Sequence, residues 1–366
     1  MPFAPRSSVR VQPYFGHRSR ERLRISARAL ASGKAGFDAS GRWQAMRTML
    51  AQFASREVEG LSVELELKHP GGDRLRHSAT SDGEGYLDFN IRLPGEWALP
   101  AETSWEVVGL HWVNEEGEQC EEGFVLVPGT SAKLGVISDI DDTIIETGIT
   151  GGFRSFMRNW RRVLAQMPNE RVAVPGADAF YNAIGGGVTT PKGAIRPGMQ
   201  IDAANRPFFY VSSSPWNLFA YLVAFKRERQ IPLGPLALRD WGLNRETFGS
   251  SSHGSHKLAA IREILDLHTD MRFALIGDDS QGDVTAFGQI AEEYGRRIAA
   301  VFIRNTGDAH STEEMAAIAT MRAGGVPLWM GEEFDSAADF LSAAGLSYQG
   351  ETAQIVRAKV AVGDDA

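Results

Sequence analysis

One ten-residue stretch decides the fold of this chain: Leu134-Gly135-Val136-Ile137-Ser138-Asp139-Ile140-Asp141-Asp142-Thr143. Its apolar first half predicts a buried parallel strand, and Asp139 and Asp141 follow where that strand reaches the C-terminal edge of a sheet. Because the chain must turn just past such an edge, we expect both carboxylates to reach one small volume. Two carboxylates that close require a cation or a shared proton, so the stretch indicates a catalytic or metal-binding site.

A solvated loop or a calcium loop is the alternative for such an aspartate-rich turn. An EF-hand that started at Asp139 would need glycine where Ile144 stands and a bidentate glutamate where Thr150 stands, so that loop is excluded. The pattern Asp-x-Asp-x-Thr alone is as compatible with a solvated turn as with a functional site. The segments that follow it decide between the two.

Two later apolar segments also end in polar residues. Phe208–Val211 precedes Ser212, and Phe273–Ile276 precedes Gly277-Asp278-Asp279-Ser280-Gln281-Gly282-Asp283. Between them, Lys257 opens an amphipathic stretch that predicts a helix with Ser255 as its N-cap. The chain order is therefore Asp-x-Asp-x-Thr, Ser, Lys and Gly-Asp-Asp-x-x-x-Asp. This order resembles the four motifs of the haloacid dehalogenase (HAD) phosphatase superfamily.

The resemblance implies a catalytic role for several of these residues. Asp139 is then the nucleophile that forms an aspartyl-phosphate, and Asp141 protonates the departing alkoxide and later activates water. Ser212 hydrogen-bonds a phosphoryl oxygen, and Lys257 holds the nucleophile and the phosphate in place. Taken singly, Ser212 is as compatible with a satisfied strand end, and Lys257 with a solvated helical turn. The catalytic interpretation therefore depends on the four motifs together.

The resemblance implies Mg²⁺ as the cofactor. All candidate ligands are carboxylate oxygens, which suit this ion. The candidate ligands are Asp139, Asp141, Asp278, Asp279 and Asp283. Between the last two, Asp283 is in better register than Asp279 for the second carboxylate of the fourth motif. Asp283 is also compatible with simply stabilising the N-terminus of the helix that follows.

Longer strings are similar to the lipin-like phosphatidate phosphatases named after a fungal actin-patch protein. These strings are Ser138-Asp139-Ile140-Asp141-Asp142-Thr143, Gly148-Ile149-Thr150-Gly151-Gly152, Tyr210-Val211-Ser212 with Ser214-Pro215-Trp216, Leu238-Arg239-Asp240-Trp241-Gly242, His256-Lys257 and Gly277-Asp278-Asp279-Ser280-Gln281. The resemblance covers Lys133 to Thr306 and implies Mg²⁺-dependent conversion of phosphatidate to diacylglycerol. Two departures from the family pattern, Ile145-Glu146 and Gly185 to Arg206, lie near the expected substrate entrance.

A soluble ester, such as a sugar phosphate or a nucleotide, is the alternative substrate. A non-catalytic binding or scaffold protein is the alternative of another class.

The length of 366 residues predicts at least two domains. Residues 1–130 alternate apolar and polar positions between turn signals, which predicts a small antiparallel β-sandwich, with one helix at about 42–53. Residues 131–366 alternate strands and helices, which predicts an α/β, HAD-like Rossmannoid parallel sheet. Residues 148–206 are expected to form a cap insert, and residues 350–366 a disordered tail.

Within that insert, Phe153 to Met167 predicts a basic amphipathic helix. Its apolar residues lie along one helical face, and Arg154, Arg158, Arg161 and Arg162 supply positive charge. Such a helix can lie on an anionic membrane surface. We favour the alternative, in which its apolar face packs onto the domain.

Composition narrows the class of protein and the compartment. A formal charge of −8 argues against a nucleic-acid-binding protein. A single cysteine, Cys120, excludes an internal disulfide bond and fits a reducing compartment. The chain has no apolar run of ~18 residues and no signal-peptide pattern at its start. We therefore expect a cytoplasmic protein, with peripheral membrane contact as the open question. The sequence does not determine the oligomeric state.

Overall fold

The computed structural model describes most of both halves of the chain. The described residues are 8–31, 56–69, 72, 74–94, 97–140, 143–144, 174–185, 200–239, 252–280, 282–307, 309–346 and 348. Asp141 and three predicted segments (the helix at 42–53, the basic helix Phe153–Met167 and the tail at 350–366) lie outside these residues.

Nine strands of the N-terminal half belong to one hydrogen-bonded sheet. They are β1 (Val9–Pro13), β2 (Gly16–Arg18), β3 (Arg22–Ala31), β4 (Arg56–Glu57), β5 (Ser62–Lys68), β6 (Arg74–Thr80), β7 (Tyr86–Arg92), β8 (Ser104–Asn114) and β9 (Gly117–Val127). The main order is β1-β3-β2-β9-β8-β5-β6, and β4 and β7 also pair with β3. All pairs among these strands are antiparallel except β2 with β9.

Antiparallel strands, as predicted for this half, are present, but they form one hydrogen-bonded sheet and not two. The reason is the length of β3, whose ten residues pair with β7 and β4 along one edge and with β1 and β2 along the other. The sheet is therefore continuous. Apolar side chains at alternate positions, such as Leu87, Phe89 and Ile91 of β7, are buried in a single core.

A six-stranded parallel sheet forms the centre of the C-terminal half. Its strands are β10 (Leu134–Asp139), β12 (Phe208–Pro215), β13 (Leu236–Arg239), β14 (Arg272–Asp278), β15 (Ile298–Arg304) and β16 (Leu328–Gly331). The spatial order is β13-β12-β10-β14-β15-β16. Strand order therefore reverses at β10, which lies between β12 and β14. In open α/β sheets, the C-terminal ends of the strands at such a switch point form the ligand site.

Helices cover both faces of this sheet. They are α1 (Ala177–Gly185), α2 (Phe219–Glu228), α3 (Ser252–Leu267), α4 (Asp283–Tyr294), α5 (Thr312–Ala323) and α6 (Ala337–Ala343). Side chains from α1, α2 and α6 pack on one face, and those from α3, α4 and α5 pack on the other. The parallel α/β architecture predicted for this half is confirmed. None of the helices that the structure describes combines the length and the apolar character that a membrane span requires.

The predicted N-cap of α3 is wrong. The helix begins at Ser252, so Ser255 lies inside it and Lys257 is in its second turn. The helix extends to residues before the predicted N-cap because the polar segment that precedes Lys257 contains no proline.

Two described elements of the predicted cap insert contact the two sheets: a helix packs on one, and a strand pairs with the other. Helix α1 buries Phe180 and Tyr181 against the parallel sheet. The short strand β11 (Gln200–Asp202) pairs antiparallel with β8 and is the tenth strand of the N-terminal sheet. The backbone N–H of Val174 donates to the carbonyl of Ile144 at 3.2 Å. Ile144 and Val174, the described residues on either side of 145–173, therefore lie next to each other.

Candidate active site

Three buried carboxylates meet at the C-terminal edge of the parallel sheet. Asp139 ends β10, Asp278 ends β14 and Asp283 opens α4. Each offers one oxygen, and these oxygens lie within 4.8 Å of one another. Gly277 makes this approach possible, because a Cβ at that position would lie 2.5 Å from Oδ2 of Asp283.

Lys257 supplies the positive charge of the cluster. Its Nζ lies 2.9 Å from Oδ1 of Asp139 and 2.5 Å from Oδ1 of Asp283, and its side chain is almost completely buried. Apolar residues of α3, including Ile261 and Leu265, pack against the sheet and fix the helix that carries it. The sequence motifs that contributed Asp139, Lys257 and Asp283 are therefore brought together.

Two hydroxyl residues orient Asp278. Its Oδ1 accepts hydrogen bonds from the backbone N–H of Ser280 at 2.6 Å and from the Ser280 hydroxyl at 2.5 Å. Its Oδ2 accepts one from the Thr143 hydroxyl at 3.0 Å. The same hydroxyl lies 3.4 Å from Oδ2 of Asp139, so Thr143 bridges the two carboxylates.

Burial and the charge of Asp283 raise the pKa of Asp278 to about 7. Lys257 and the Ser280 hydrogen bonds act in the opposite direction without cancelling these effects. Near neutral pH, the metal-free cluster therefore exchanges a proton at Asp278.

Asp279 points away from the cluster. Its Oδ1 accepts hydrogen bonds from the backbone N–H and the hydroxyl of Thr306, at 2.8 and 2.6 Å. Its Oδ2 lies 3.4 Å from Nε2 of His310. The geometry thus separates Asp279, which anchors the loop after β15, from Asp283, which lies in the cluster.

Ser212 lies on β12, the strand beside β10. Val211 is paired with Asp139, which places Ser212 one residue beyond it at the same edge. The Ser212 hydroxyl is buried and accepts a hydrogen bond from the backbone N–H of Ser214 at 2.9 Å. Ser212 therefore lies at the same edge of the sheet as Asp139.

The cluster fits a hard divalent cation. Three carboxylates and one ammonium leave an excess of negative charge in a buried volume, which a cation or a proton must compensate. The donor atoms of Asp139, Asp278 and Asp283 are all oxygens, which suits Mg²⁺ better than a metal that prefers nitrogen or sulfur. Asp141, also a candidate ligand, lies outside the described residues.

The segment that contains these residues resembles known proteins. Residues 134–305 match the family model described as phosphatidate phosphatase APP1, catalytic domain. This segment is therefore similar to that family. It is 31% identical over 171 residues to phosphatidate phosphatase APP1 of Saccharomyces cerevisiae (strain ATCC 204508 / S288c), a match that covers 47% of this chain and 26% of the yeast protein. The chain thus spans about a quarter of the length of the curated relative that it matches. The family resemblance predicted from the sequence is confirmed.

Two solved structures align with most of this chain, but at low similarity. The β-glucuronidase of Bifidobacterium dentium aligns with 89% of this chain and 60% of its own, at 8% identity and a TM-score of 0.23. A family two carbohydrate esterase from Cellvibrio japonicus aligns with 91% and 95%, at 12% identity and a TM-score of 0.17.

Three residues near the candidate site had no role assigned from the sequence. Thr143 was visible as the threonine of Asp-x-Asp-x-Thr, and Ser280 follows Asp278 closely enough for a local hydrogen bond. Tyr181, whose hydroxyl lies 2.7 Å from Oγ of Ser138, gave no signal. It reaches the site from a helix more than forty residues along the chain.

Proposed function

We propose that this chain is a Mg²⁺-dependent phosphatase that hydrolyses phosphatidate to diacylglycerol through an aspartyl-phosphate. The observation that carries the proposal is the buried set Asp139, Asp278, Asp283 and Lys257 at the switch point of a domain of this family. A domain without catalytic activity has no physical need for carboxylates that repel one another in its interior. This favours an enzyme over a scaffold protein.

In the proposed reaction, Asp139 attacks the phosphorus atom and the bond to the leaving oxygen breaks. Lys257 keeps the Asp139 carboxylate ionised and fixes its direction, since the two groups are 2.9 Å apart. The Thr143 hydroxyl lies 3.4 Å from the other oxygen of the same carboxylate. A nucleophile that is already oriented avoids much of the entropic cost of reaching the transition state.

Asp141 is the proposed acid and base. It protonates the departing alkoxide, and the resulting carboxylate then removes a proton from the water that hydrolyses the aspartyl-phosphate. One residue can perform both steps because the first leaves it in the form that the second requires. Ser212 is proposed to donate to a phosphoryl oxygen by rotating its hydroxyl.

Asp139, Asp278 and Asp283 are proposed to hold Mg²⁺. When bound, the ion neutralises phosphoryl charge and helps to orient the phosphate. The protein supplies the buried carboxylates, and Thr143 and Ser280 keep the Asp278 oxygens in place. Asp279 is not included, because its oxygens face Thr306 and His310.

A lipid substrate also requires contact with a membrane surface. The basic segment Phe153–Met167 is the candidate in the sequence, with tryptophan and phenylalanine beside several arginines. Each basic side chain near an anionic surface contributes about 1 kcal/mol of attraction. Peripheral association of an otherwise cytoplasmic protein is therefore part of the proposal.

The test is phosphate release from phosphatidate in vesicles and from a panel of sugar phosphates, nucleotides and a generic chromogenic ester, with Mg²⁺ and with excess chelator. We expect Mg²⁺-dependent release, fastest from phosphatidate. Faster release from a soluble ester would give that substrate precedence, and full activity in excess chelator would contradict the metal. No release from any ester would favour a binding protein.

Two substitutions test the mechanism. Asp139→Ala should abolish turnover, and Asp141→Asn should lower it by about 10²–10⁴-fold, because the amide keeps the size of the side chain but cannot transfer the proton. Measurement of kcat and of thermal stability on the same preparations separates chemistry from folding. Near-normal activity of a folded Asp139→Ala variant would disprove the covalent route.

A further inference from the structure

A chain of buried hydroxyl groups leads from helix α1 to the backbone of Asp139. The Ser138 hydroxyl donates to the Asp139 carbonyl at 2.6 Å, and its oxygen lies 2.7 Å from the Tyr181 hydroxyl. A serine hydroxyl has one hydrogen, which is committed to Asp139, so Tyr181 is the donor to Ser138. Both side chains are completely buried.

Tyr181 suits this role because it stays protonated and immobile. Burial raises the pKa of its hydroxyl, and the negative charges of Asp139, Asp283 and Asp278 raise it further, although the Ser138 hydrogen bond lowers it. Aromatic neighbours surround the ring, with Phe180, Phe208 and Phe334 at centroid distances of 5.8, 5.9 and 6.2 Å. Displacement of the hydroxyl oxygen away from Ser138 would therefore require repacking of the core.

The backbone at Asp139 needs such support because the sheet ends there. Pairing of β10 with β14 stops at Ser138, and pairing with β12 stops at Asp139. Beyond this point, the same backbone leads to Asp141 and then to Thr143. The orientation of the Asp139 carbonyl therefore affects both the nucleophile and the residues that act with it.

We propose that Tyr181 is a positioning residue for the reaction, acting through Ser138 on the backbone of Asp139. This inference rests on the proposed phosphatase function. The Tyr181 hydroxyl is bonded to Ser138 and is not part of the carboxylate cluster, so its proposed effect is on geometry. A displacement of about 1 Å at reacting atoms can cost about 10²-fold in rate, so loss of one fixed hydrogen bond here should be visible in kcat.

The experiment compares Tyr181→Phe with Tyr210→Phe. Tyr210 is also completely buried, and its hydroxyl also donates to a buried partner, the carbonyl of Pro232, at 2.6 Å. It lies opposite Ser138 on β12, but its hydroxyl bond leads away from the site. Both substitutions remove one buried hydroxyl and keep the ring, so they are matched in their effect on packing.

We expect Tyr181→Phe to lower kcat by about tenfold or more, with KM and Mg²⁺ affinity unchanged, measured on a soluble chromogenic ester. Tyr210→Phe should leave kcat unchanged at a temperature where both variants are folded. Ser138→Ala should reproduce the loss, and Tyr181→Phe should cost nothing more in that background. Ser138→Thr, which retains the hydroxyl, should keep most of the activity.

Equal effects of the two tyrosine substitutions, or an unchanged kcat in Tyr181→Phe, would overturn the proposal. If Tyr181→Phe does not fold, Ser138→Ala decides, and normal kcat in that variant would overturn it as well. A parent protein that releases no phosphate from any ester would instead contradict the proposed function.

Discussion

At the residue scale, Lys257 stabilises a set of carboxylates that would otherwise repel one another. Burial lowers the pKa of Lys257, but the charges of Asp139, Asp283 and Asp278 outweigh burial and raise it above its ordinary value. The ammonium therefore stays charged and offsets one of three negative charges. The remaining charge makes the site a receptor for a proton or a divalent cation.

The two aspartates of the fourth motif should differ in their effect on metal affinity. Asp283→Asn should weaken Mg²⁺ binding by at least about tenfold, because it removes a charged oxygen from the cluster. Asp279→Asn makes the same chemical change outside the cluster and should alter Mg²⁺ affinity little. Calorimetric titration of both folded variants is the measurement. Equal losses would show that binding depends on overall charge and not on the cluster.

Mg²⁺ affinity should rise with pH through about 7. Burial and Asp283 raise the pKa of Asp278 to about 7, so below that pH the cation must displace a proton, whereas above it the carboxylate is already free. Affinity should therefore increase by up to about tenfold per pH unit below 7 and level off above it. Titrations at pH 6 and pH 8 in buffers of different ionisation enthalpy measure both affinity and proton release. The same affinity at both values, without proton release, would contradict this linkage.

The sequence could place these residues and favoured Asp283 over Asp279 by register, but it could not show where the Asp279 side chain points. Strand, turn and helix signals around residues 272–294 are local, so they predict that both carboxylates lie near the edge of the sheet. The direction of Asp279 depends on Thr306, which lies 27 residues further along the chain. No local pattern contains that contact.

At the element scale, strands were easier to predict than helix boundaries. Each apolar run that was assigned to the parallel sheet is a strand, since such runs are buried on both faces. Helix α5 was not predicted, because only Ile318 and Met321 along it are buried and its apolar pattern is weak. Its start was nevertheless encoded by Ser311 and Glu314, which form a capping box.

Ser311→Ala should destabilise the protein by about 1 kcal/mol. The Ser311 hydroxyl accepts from the backbone N–H of Glu314 at 3.2 Å, and the Glu314 carboxylate accepts from the backbone N–H of Ser311 at 2.7 Å. Urea unfolding measures the loss, and phosphatase activity should be unchanged because the helix contributes no group to the cluster. Ser311→Asp, which can also cap the helix, should retain most of the stability. An unchanged urea midpoint in Ser311→Ala would show that this helix end frays without affecting global unfolding.

At the scale of the whole molecule, the two halves are joined by contacts between distant parts of the sequence. Tyr14 stacks on Trp216 at 4.3 Å, and Arg28 donates to Oδ1 of Asn217 at 2.7 Å. Strand β11, from the segment expected to form a cap, instead extends the N-terminal sheet. Sequence patterns could not predict this, because a three-residue strand has too few positions for an alternating pattern.

A buried histidine pair lies in the same interface. Nδ1 of His17, on β2, is 3.0 Å from Nε2 of His268, which follows α3, and one ring nitrogen donates to the other. Burial and, to a smaller extent, Arg24 lower the pKa of His17 to about 3. Burial, His17 and Arg297 lower the pKa of His268 well below its ordinary value. Both rings therefore accept a proton less readily in the folded protein than in the unfolded chain.

The histidine pair should make unfolding depend on pH below about 6.5. Above that value, both rings are neutral in the folded and the unfolded chain, so their contribution is complete. As the pH falls below about 6.5, the unfolded chain gains protons that the folded pair accepts less readily, and stability is lost, by about 2 kcal/mol at pH 5 for His17 alone. Replacement of both with glutamine should remove this loss, so that the free energy of unfolding falls less between pH 7.5 and pH 5 than in the parent protein.

His77→Gln, at an exposed position on β6, should leave the pH dependence unchanged. Denaturant unfolding at the two pH values measures all three proteins, and the same pH dependence in the double variant and the parent would show that the pair accepts protons without disturbing the interface.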